Sequence, residues 1–471
     1  MKQQISRRRF LRLGASAVGT SVALAACGGA ASAPAAPTSA PAKATDAPKP
    51  VAPTAPAVIA GGDTFWFHTI SESESRRPAV EAWFAKNYPK MNLKIEITPG
   101  LGPIADKMMA QIGAGDSPDM VYMHESIVTN FARQGALLSI EPLLKSRPLI
   151  GDASKYPIDI FRRDNSWKGE LFALPVGFAV LMMRYNKTMF DKAGIKPPND
   201  TWTWNDLRDA AVALTKDTTG SGQPDQWGWN GWQTDFMPST WGLIRSFGGE
   251  HYNAARTQCL INQPGGVAAL DFMLSTWCGK TRCAPAPAVR KQLQSGAVQL
   301  FEGGKAAMDF ILSQNVTNSL KIIADKFETG LELYPAGPNG RFVRAGGTSY
   351  GIPSRSKKPE IAWELIRHLV GDEDANREAA TYKDGNPLIQ LDHVLKYNAP
   401  QGATVALVDK WKKIVTDGFQ KFGTVVQYAP IGEYPTIFST ELDRTAECNT
   451  SAQKSADAIA AATDKLLKEI K

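Results

Sequence analysis

Apolar positions along the chain change period repeatedly. Asp63-Thr64-Phe65-Trp66-Phe67, bounded by Gly61-Gly62, reads as a short strand, and Pro78 to Asn87 as a helix that stops before Pro89. Leu93-Lys94-Ile95-Glu96-Ile97 alternates with period two. Ile104, Met108, Met109 and Ile112 recur at helical spacing, and Pro118 to Met123 is a buried strand. The opening is therefore β-α-β-α-β, which implies a mostly parallel sheet covered on both faces, with ligands taken in the crevice beyond its strand ends. Further on, Thr203-Trp204-Asn205-Asp206 fits a capping box ahead of Leu207, Ala210, Ala211 and Leu214. Pro359 opens a helix with Ile361, Ala362, Leu365, Ile366 and Leu369 on one face, and Ser455 to Glu469 reads as a packed terminal helix.

The first sixty residues follow a different pattern. Arg7, Arg8, Arg9 and Arg12 precede Leu13 to Ala26, an apolar run too short for a membrane-spanning helix, so residues 1–26 read as an export signal. Ser6-Arg7-Arg8-Arg9-Phe10-Leu11-Arg12 resembles a twin-arginine motif. Leu24-Ala25-Ala26-Cys27 resembles a bacterial lipoprotein box, which implies cleavage before Cys27 and acylation of its thiol. Residues 27–60, rich in Ala and Pro and free of aromatic side chains, cannot bury enough surface to order themselves and read as a tether. The location implied is extracytoplasmic: a protein anchored by lipid at the outer face of the cytoplasmic membrane or in the periplasm.

Composition sharpens this picture. The chain has 471 residues, 43% hydrophobic and 21% charged, enough for large cores in two or three packing units. Its net charge of +7 suggests a nucleic-acid partner until Lys2 and Arg7, Arg8, Arg9 and Arg12 are set aside. The body then carries only +2, without a basic stripe.

Seven of the twelve tryptophans lie between Trp202 and Trp277. Rings suit the C–H faces of sugars, yet they also fill cores. Trp202 and Trp204 flank a helix start and read as structural, whereas Trp229, Trp232 and Trp241 stay open between core and cleft. His68 and His124 stand at predicted strand ends and stay open between ligand contact and internal hydrogen bonding. No histidine pair has metal-ligand spacing, and no cofactor motif is present. Asp217 to Asp225 has oxygen side chains at alternate positions, but Gly228 stands where a calcium loop needs its closing Glu, so it reads as a turn. Gly347-Thr348-Ser349-Tyr350-Gly351 matches a nucleophile-elbow pattern, but Ile352-Pro353 forbids the helix that such an elbow requires. With Cys27 acylated, four cysteines remain for an oxidising compartment. Cys278 and Cys283 are close enough in sequence to bridge, which leaves Cys259 and Cys448 by elimination.

One ordered set of motifs adds an identity class. Pro118-Asp119-Met120-Val121, Gly169 to Pro175, Tyr185-Asn186-Lys187, Pro197-Pro198 before Thr201-Trp202, Gly304-Lys305-Ala306-Ala307-Met308 and Ser356 to Glu364 together resemble the extracellular solute-binding proteins of ABC importers, in the family with maltose- and oligosaccharide-binding members. The resemblance implies an α/β fold of the periplasmic-binding-protein kind (type II), in which two discontinuous lobes are joined by hinge strands. Its lobes would be 61–176 with 342–384 and 177–341 with 385–471, and its crossings near Val176 to Val180, Gly337 to Phe342 and Gly385-Asn386-Pro387. A monomer would pass its sugar to the permease subunits of an ABC importer.

Where maltose-type members carry a stacking Trp and an Asp, this chain has Met123, His124, Glu125 and Ser126. Asp309 and Phe310 replace a Gly-x-Trp, and Phe236 is the nearest ring ahead of Thr240-Trp241. Strand-end reasoning puts His68, Ser71, Glu72, His124, Glu125 and Ser349 on the first lobe's side of the ligand. The resemblance puts Trp232, Phe236, Trp241, Asp309 and Tyr434 on the other. Two other classes remain: the same fold holding an organic ion such as a polyamine, and an exported glycoside hydrolase using Glu72, Glu125 or Asp309.

Overall fold

The computed structural model describes residues 63–469 apart from 72–75, 100, 152–155, 157–161, 163–164, 178, 234–237, 294–298, 382–387 and 425–432. These residues belong to the unit formed by 51–471, and the unit 1–50, with Cys27, lies outside them. Among the described residues no helix is long and apolar enough to cross a membrane.

The first lobe is built as its periodicity dictates. β1 (Thr64–Ile70) is covered on both faces, as a central parallel strand must be, and pairs in parallel with β2 (Asn92–Thr98) and β3 (Met120–His124). Helices α1 (Arg77–Asn87) and α2 (Leu101–Ala114) connect them, and α3 (Glu125–Arg133) leaves the end of β3 with His124 as its N-cap. A two-residue hairpin, β4 (Ser166–Trp167) and β5 (Glu170–Leu171), leads to β6 (Ala173–Pro175), the far edge of this sheet.

After β6 the chain crosses to a second sheet. β7 (Ala179–Asn186) is its central strand, flanked on one side by β9 (Ala306–Leu312), which pairs with β8 (Trp227–Trp229), and on the other by β10 (Thr329–Glu332) and β11 (Val343–Gly346), which pairs with β13 (Gly423–Thr424). β12 (Thr348–Gly351) returns to the first sheet between β3 and β6, giving it the order β2-β1-β3-β12-β6. The capping box at Thr203 forms: Asp206 N–H donates to Thr203 Oγ1 at 3.3 Å and Thr203 N–H to Asp206 Oδ2 at 2.8 Å. The terminal helix Ala452–Glu469 packs on the helices Tyr434–Thr445 and Pro264–Trp277.

Strand pairing moves one expected boundary. The second passage falls at Gly347, because residues 343–346 hydrogen-bond within the second sheet and 348–351 within the first. The expected third crossing at 385–387 lies outside the described residues. Beyond it, Gln390 Nε2 still donates to Tyr156 Oη at 3.0 Å and Val370 O at 3.2 Å on the first lobe, whereas Gln401 N–H reaches Thr317 Oγ1 on the second at 3.2 Å. Contacts with the first lobe thus persist to Gln390, and contacts with the second are made by Gln401.

Candidate functional site

The two passages run side by side. Ala345 faces Val180 and Gly346 faces Ala179 in the second sheet, Ser349 faces Pro175 in the first, and Val176 N–H donates to Thr348 O at 2.8 Å between them. Two extended strands carry no helical hydrogen-bond ladder across the junction, so small backbone rotations there can swing one lobe against the other. Arg76 clamps the passage from the first lobe, donating to Val176 O at 2.6 Å and Leu369 O at 3.1 Å.

Beside this hinge, the first residue of α3 meets the second lobe. Glu125 Oε1 accepts from Arg344 Nη2 at 2.8 Å and Oε2 from the Gly347 N–H at 2.9 Å. Both side chains are buried, at 2% and 3% exposure. Gly346 makes the approach feasible, since a Cβ there would lie 2.5 Å from Glu125 Oε2. A second contact between the lobes runs from Arg256 Nη1 to Thr129 Oγ1 on α3 at 2.9 Å. The half-buried His124 accepts from the Ser126 N–H through Nδ1 at 3.2 Å. Burial holds its imidazole below the ordinary value; Glu125 pulls it up and Arg344 pushes it further down.

The sequence-derived candidates divide sharply against this geometry. His124 and Glu125 stand together at the hinge end of β3, and Ser71 is exposed just beyond β1. Glu72 and Phe236 lie outside the described residues. His68 is buried, with Nε2 bonded to Thr98 Oγ1 at 2.8 Å and Nδ1 to Gln111 Oε1 at 3.1 Å, so both ring nitrogens are used internally. Ser349 is buried and donates to Asn165 Oδ1 at 2.8 Å, in a strand rather than an elbow.

The second lobe's rings and carboxylate are interior. Trp232 donates to Thr276 Oγ1 at 3.1 Å and packs with Trp204, Trp229 and Phe310. Trp241 stacks on His251 with centroids 4.6 Å apart, and Tyr434 Oη bonds His251 Nδ1. Asp309 accepts from Arg184 Nη2 at 2.6 Å, while Arg184 Nη1 reaches Glu302. All four are buried, and each is engaged by neighbours within its own lobe.

The expected Cys278–Cys283 bridge is replaced by Cys278–Cys448, with Cα atoms 5.8 Å apart, so Cys259 does not pair with Cys448 either. Beyond the helix that ends at Trp277, the short 3-10 turn Gly279–Thr281 draws Cys283 inward. Its N–H donates to Thr276 O at 2.9 Å and its carbonyl accepts from Trp229 N at 3.0 Å, which buries the thiol. Burial pushes the free thiols of Cys259 and Cys283 up to about 11 and about 12, so they stay protonated and unreactive at neutral pH. Cys448→Ser is expected to cost roughly 2–4 kcal/mol of stability, because the bridge closes a long loop. A non-reducing peptide map should show one linked pair, 278 with 448. A linked 278–283 peptide would refute the assignment.

Arg344, Arg76, Arg256 and Asn165 went unnoticed in the sequence. Arg344 had a visible signal, a charge inside the apolar run Val343 to Ala345, although its partner lies 219 residues away. The others act through contacts that no local pattern encodes.

Comparison with known proteins follows the same lines. A family profile described as bacterial extracellular solute-binding protein matches residues 68–376. The arabinooligosaccharide-binding protein of Bacillus subtilis is 24% identical over 331 residues, 69% of this chain and 72% of that protein. An ABC substrate-binding protein of Listeria monocytogenes, solved in complex with cycloalternan, superposes with a TM-score of 0.70 at 19% identity, covering 86% of this chain and 99% of that one. The maltose/maltodextrin-binding domain of Bdellovibrio bacteriovorus bound to maltotriose gives 0.63 at 16% identity, over 86% and 99%.

Proposed function

This chain belongs to the bacterial extracellular solute-binding protein family, whose members bind and do not catalyse, and on that footing we propose that it captures a sugar or related polyhydroxylated solute by closure of its lobes and delivers it to the permease of an ABC importer. The paired passages at Val176 and Gly347, braced by Glu125 and Arg344, carry this reading. They make a hinge with few rotatable points, and a ligand that touches both lobes favours closure by its differential affinity for the two states. On the first lobe, Ser71 and His124 stand at the strand ends that open towards such a crevice. The oligosaccharides named for the Bacillus relative and for the two structural neighbours support a saccharide rather than an amine.

Titration calorimetry and thermal-shift assays across mono- and oligosaccharides, with chromatography for products, test this function. The expected result is saturable binding that raises the melting temperature with no product; a micromolar ligand corresponds to ~8 kcal/mol. A panel in which only polyamines bind, or in which a glycoside is cleaved, would overturn it.

We further propose that the body is held at the membrane by lipid on Cys27 and exported through the twin-arginine route, with residues 28–60 as the tether. One acyl chain anchors only marginally, so dual acylation is expected. Cys27→Ala should move the protein to the soluble fraction. Retention in the membrane fraction as firm as wild type would count against the anchor.

A further inference from the structure

The second lobe contains a polar pair that the fold leaves unsatisfied. Asn230 directly follows β8, and its N–H donates to Met308 O at 2.9 Å. Its carboxamide is 0% exposed, and neither Nδ2 nor Oδ1 has a partner. Gly231 then turns the chain at φ +91°, a conformation that favours glycine. A Cβ at Gly231 would lie 3.1 Å from Pro285 O and 3.7 Å from Arg290 Cδ, so the arginine stem runs beside the backbone that carries Asn230.

Arg290, on the helix Pro287–Leu293, is 6% exposed, and its Nε has no partner. The other buried arginines of the described residues are each engaged: Arg76 by two carbonyls, Arg184 by Glu302 and Asp309, Arg344 by Glu125. No described residue forms a hydrogen bond or ion pair with the Arg290 side chain. A fully buried carboxamide and a largely buried guanidinium without protein acceptors are unfavourable unless water or a ligand supplies the missing hydrogen bonds.

Topology gives the pair a direction. β7 leaves the first passage at Ala179, β9 runs antiparallel to it and β8 runs parallel to β9. The C-terminal end of β8, which carries Asn230, therefore points to the end of the sheet where the chain crosses between lobes.

We propose that Asn230 and Arg290 form an anion subsite of the ligand site, taking a carboxylate or phosphate borne by the saccharide; this rests on the saccharide reading above. A guanidinium fork matches either group, and a neutral hydroxyl would leave the buried charge uncompensated. Asn230 supplies one donor for a second anionic oxygen and one acceptor for a neighbouring hydroxyl, an arrangement that a uronic acid or a phosphorylated polyol presents.

The test is calorimetry on wild type and Arg290→Gln with four probes: neutral oligosaccharides, uronic-acid oligosaccharides, glycerol and sugar phosphates, and small carboxylates without a sugar. Wild type should prefer one acidic saccharide class over its neutral counterpart by on the order of tenfold to a hundredfold, and Arg290→Gln should remove that preference. Which acidic class responds separates carboxylate from phosphate. The melting temperature of unliganded Arg290→Gln should stay close to that of wild type, because no protein partner of the guanidinium is lost. Arg290-dependent binding of the sugarless carboxylates alone would keep the subsite and overturn the saccharide reading. Neutral and acidic saccharides bound equally by both proteins would overturn the subsite and keep the saccharide reading. Binding of none of the probes would overturn both.

Discussion

Trp241→Ala is expected to lower folding stability by about 3–5 kcal/mol while leaving the ligand affinity of the folded fraction nearly unchanged. The indole is wholly buried, and its ring lies parallel to that of His251, which in turn packs against Phe438 and bonds Tyr434. Truncation removes this face of the stack and opens a cavity that His251, held by Tyr434 and Phe438, cannot move to fill. Chemical denaturation paired with calorimetry decides. A loss of affinity of about thirtyfold, with the denaturation midpoint held, would return Trp241 to the ligand site.

The same site gives a pH signature. Burial depresses His251 to about 3, with nearby Arg245 pushing in the same direction, against 6.5 when unfolded. A depressed histidine contributes stability that is complete above 6.5 and is lost as pH falls towards the folded value, because the unfolded chain takes up the proton first. Wild type should therefore weaken steadily between pH 6.5 and about 3. In Trp241→Ala, water reaching the imidazole should raise its folded value and flatten that slope. Denaturation midpoints across this range report both effects, and parallel slopes for the two proteins would show that His251 does not titrate differently.

What could be read from the sequence divides along physical lines. The first three strands were legible because each alternates or runs apolar between turn residues. The helices from Thr203 and Pro359 were legible because their caps are local: Thr203 and Asp206 satisfy each other within one turn, and Pro359 needs no partner. Long-range pairing was not legible. The cysteine nearest Cys278 in sequence lies five residues on, yet its bonded partner lies 170 residues away, because the choice depends on which of two helix ends meets the other. The tryptophans show a further limit. Trp232 and Trp241 have the composition of a sugar platform, but only tertiary structure reveals that Trp204, Trp229 and Phe310 surround the one and His251 covers the other. Glu125 was found by its place at a strand end, while Asn230 and Arg290 show no periodicity and stand out only through the absence of partners.

Arg344→Met should be the most damaging change at the hinge, at about 3–5 kcal/mol, because it leaves the Glu125 carboxylate buried with only the Gly347 N–H. The start of α3 favours a negative charge at Glu125, but by much less than a direct guanidinium contact. Glu125→Gln alone should cost less, since its amide oxygen can still accept from Arg344 while the guanidinium charge goes uncompensated. The double variant should recover much of the loss, because a buried pair exchanged as a unit gives up its Coulomb energy and its desolvation cost together. Strict additivity of the single losses would mean that the two side chains do not act as a pair. Ligand affinity should move less than stability. Glu125 and Arg344 both lie within three residues of a point where the chain crosses or of the strand end facing it, where rotation of one lobe displaces atoms least, so the contact can persist in open and closed states alike. A variant that keeps its melting temperature but loses ligand would instead place Arg344 against the solute.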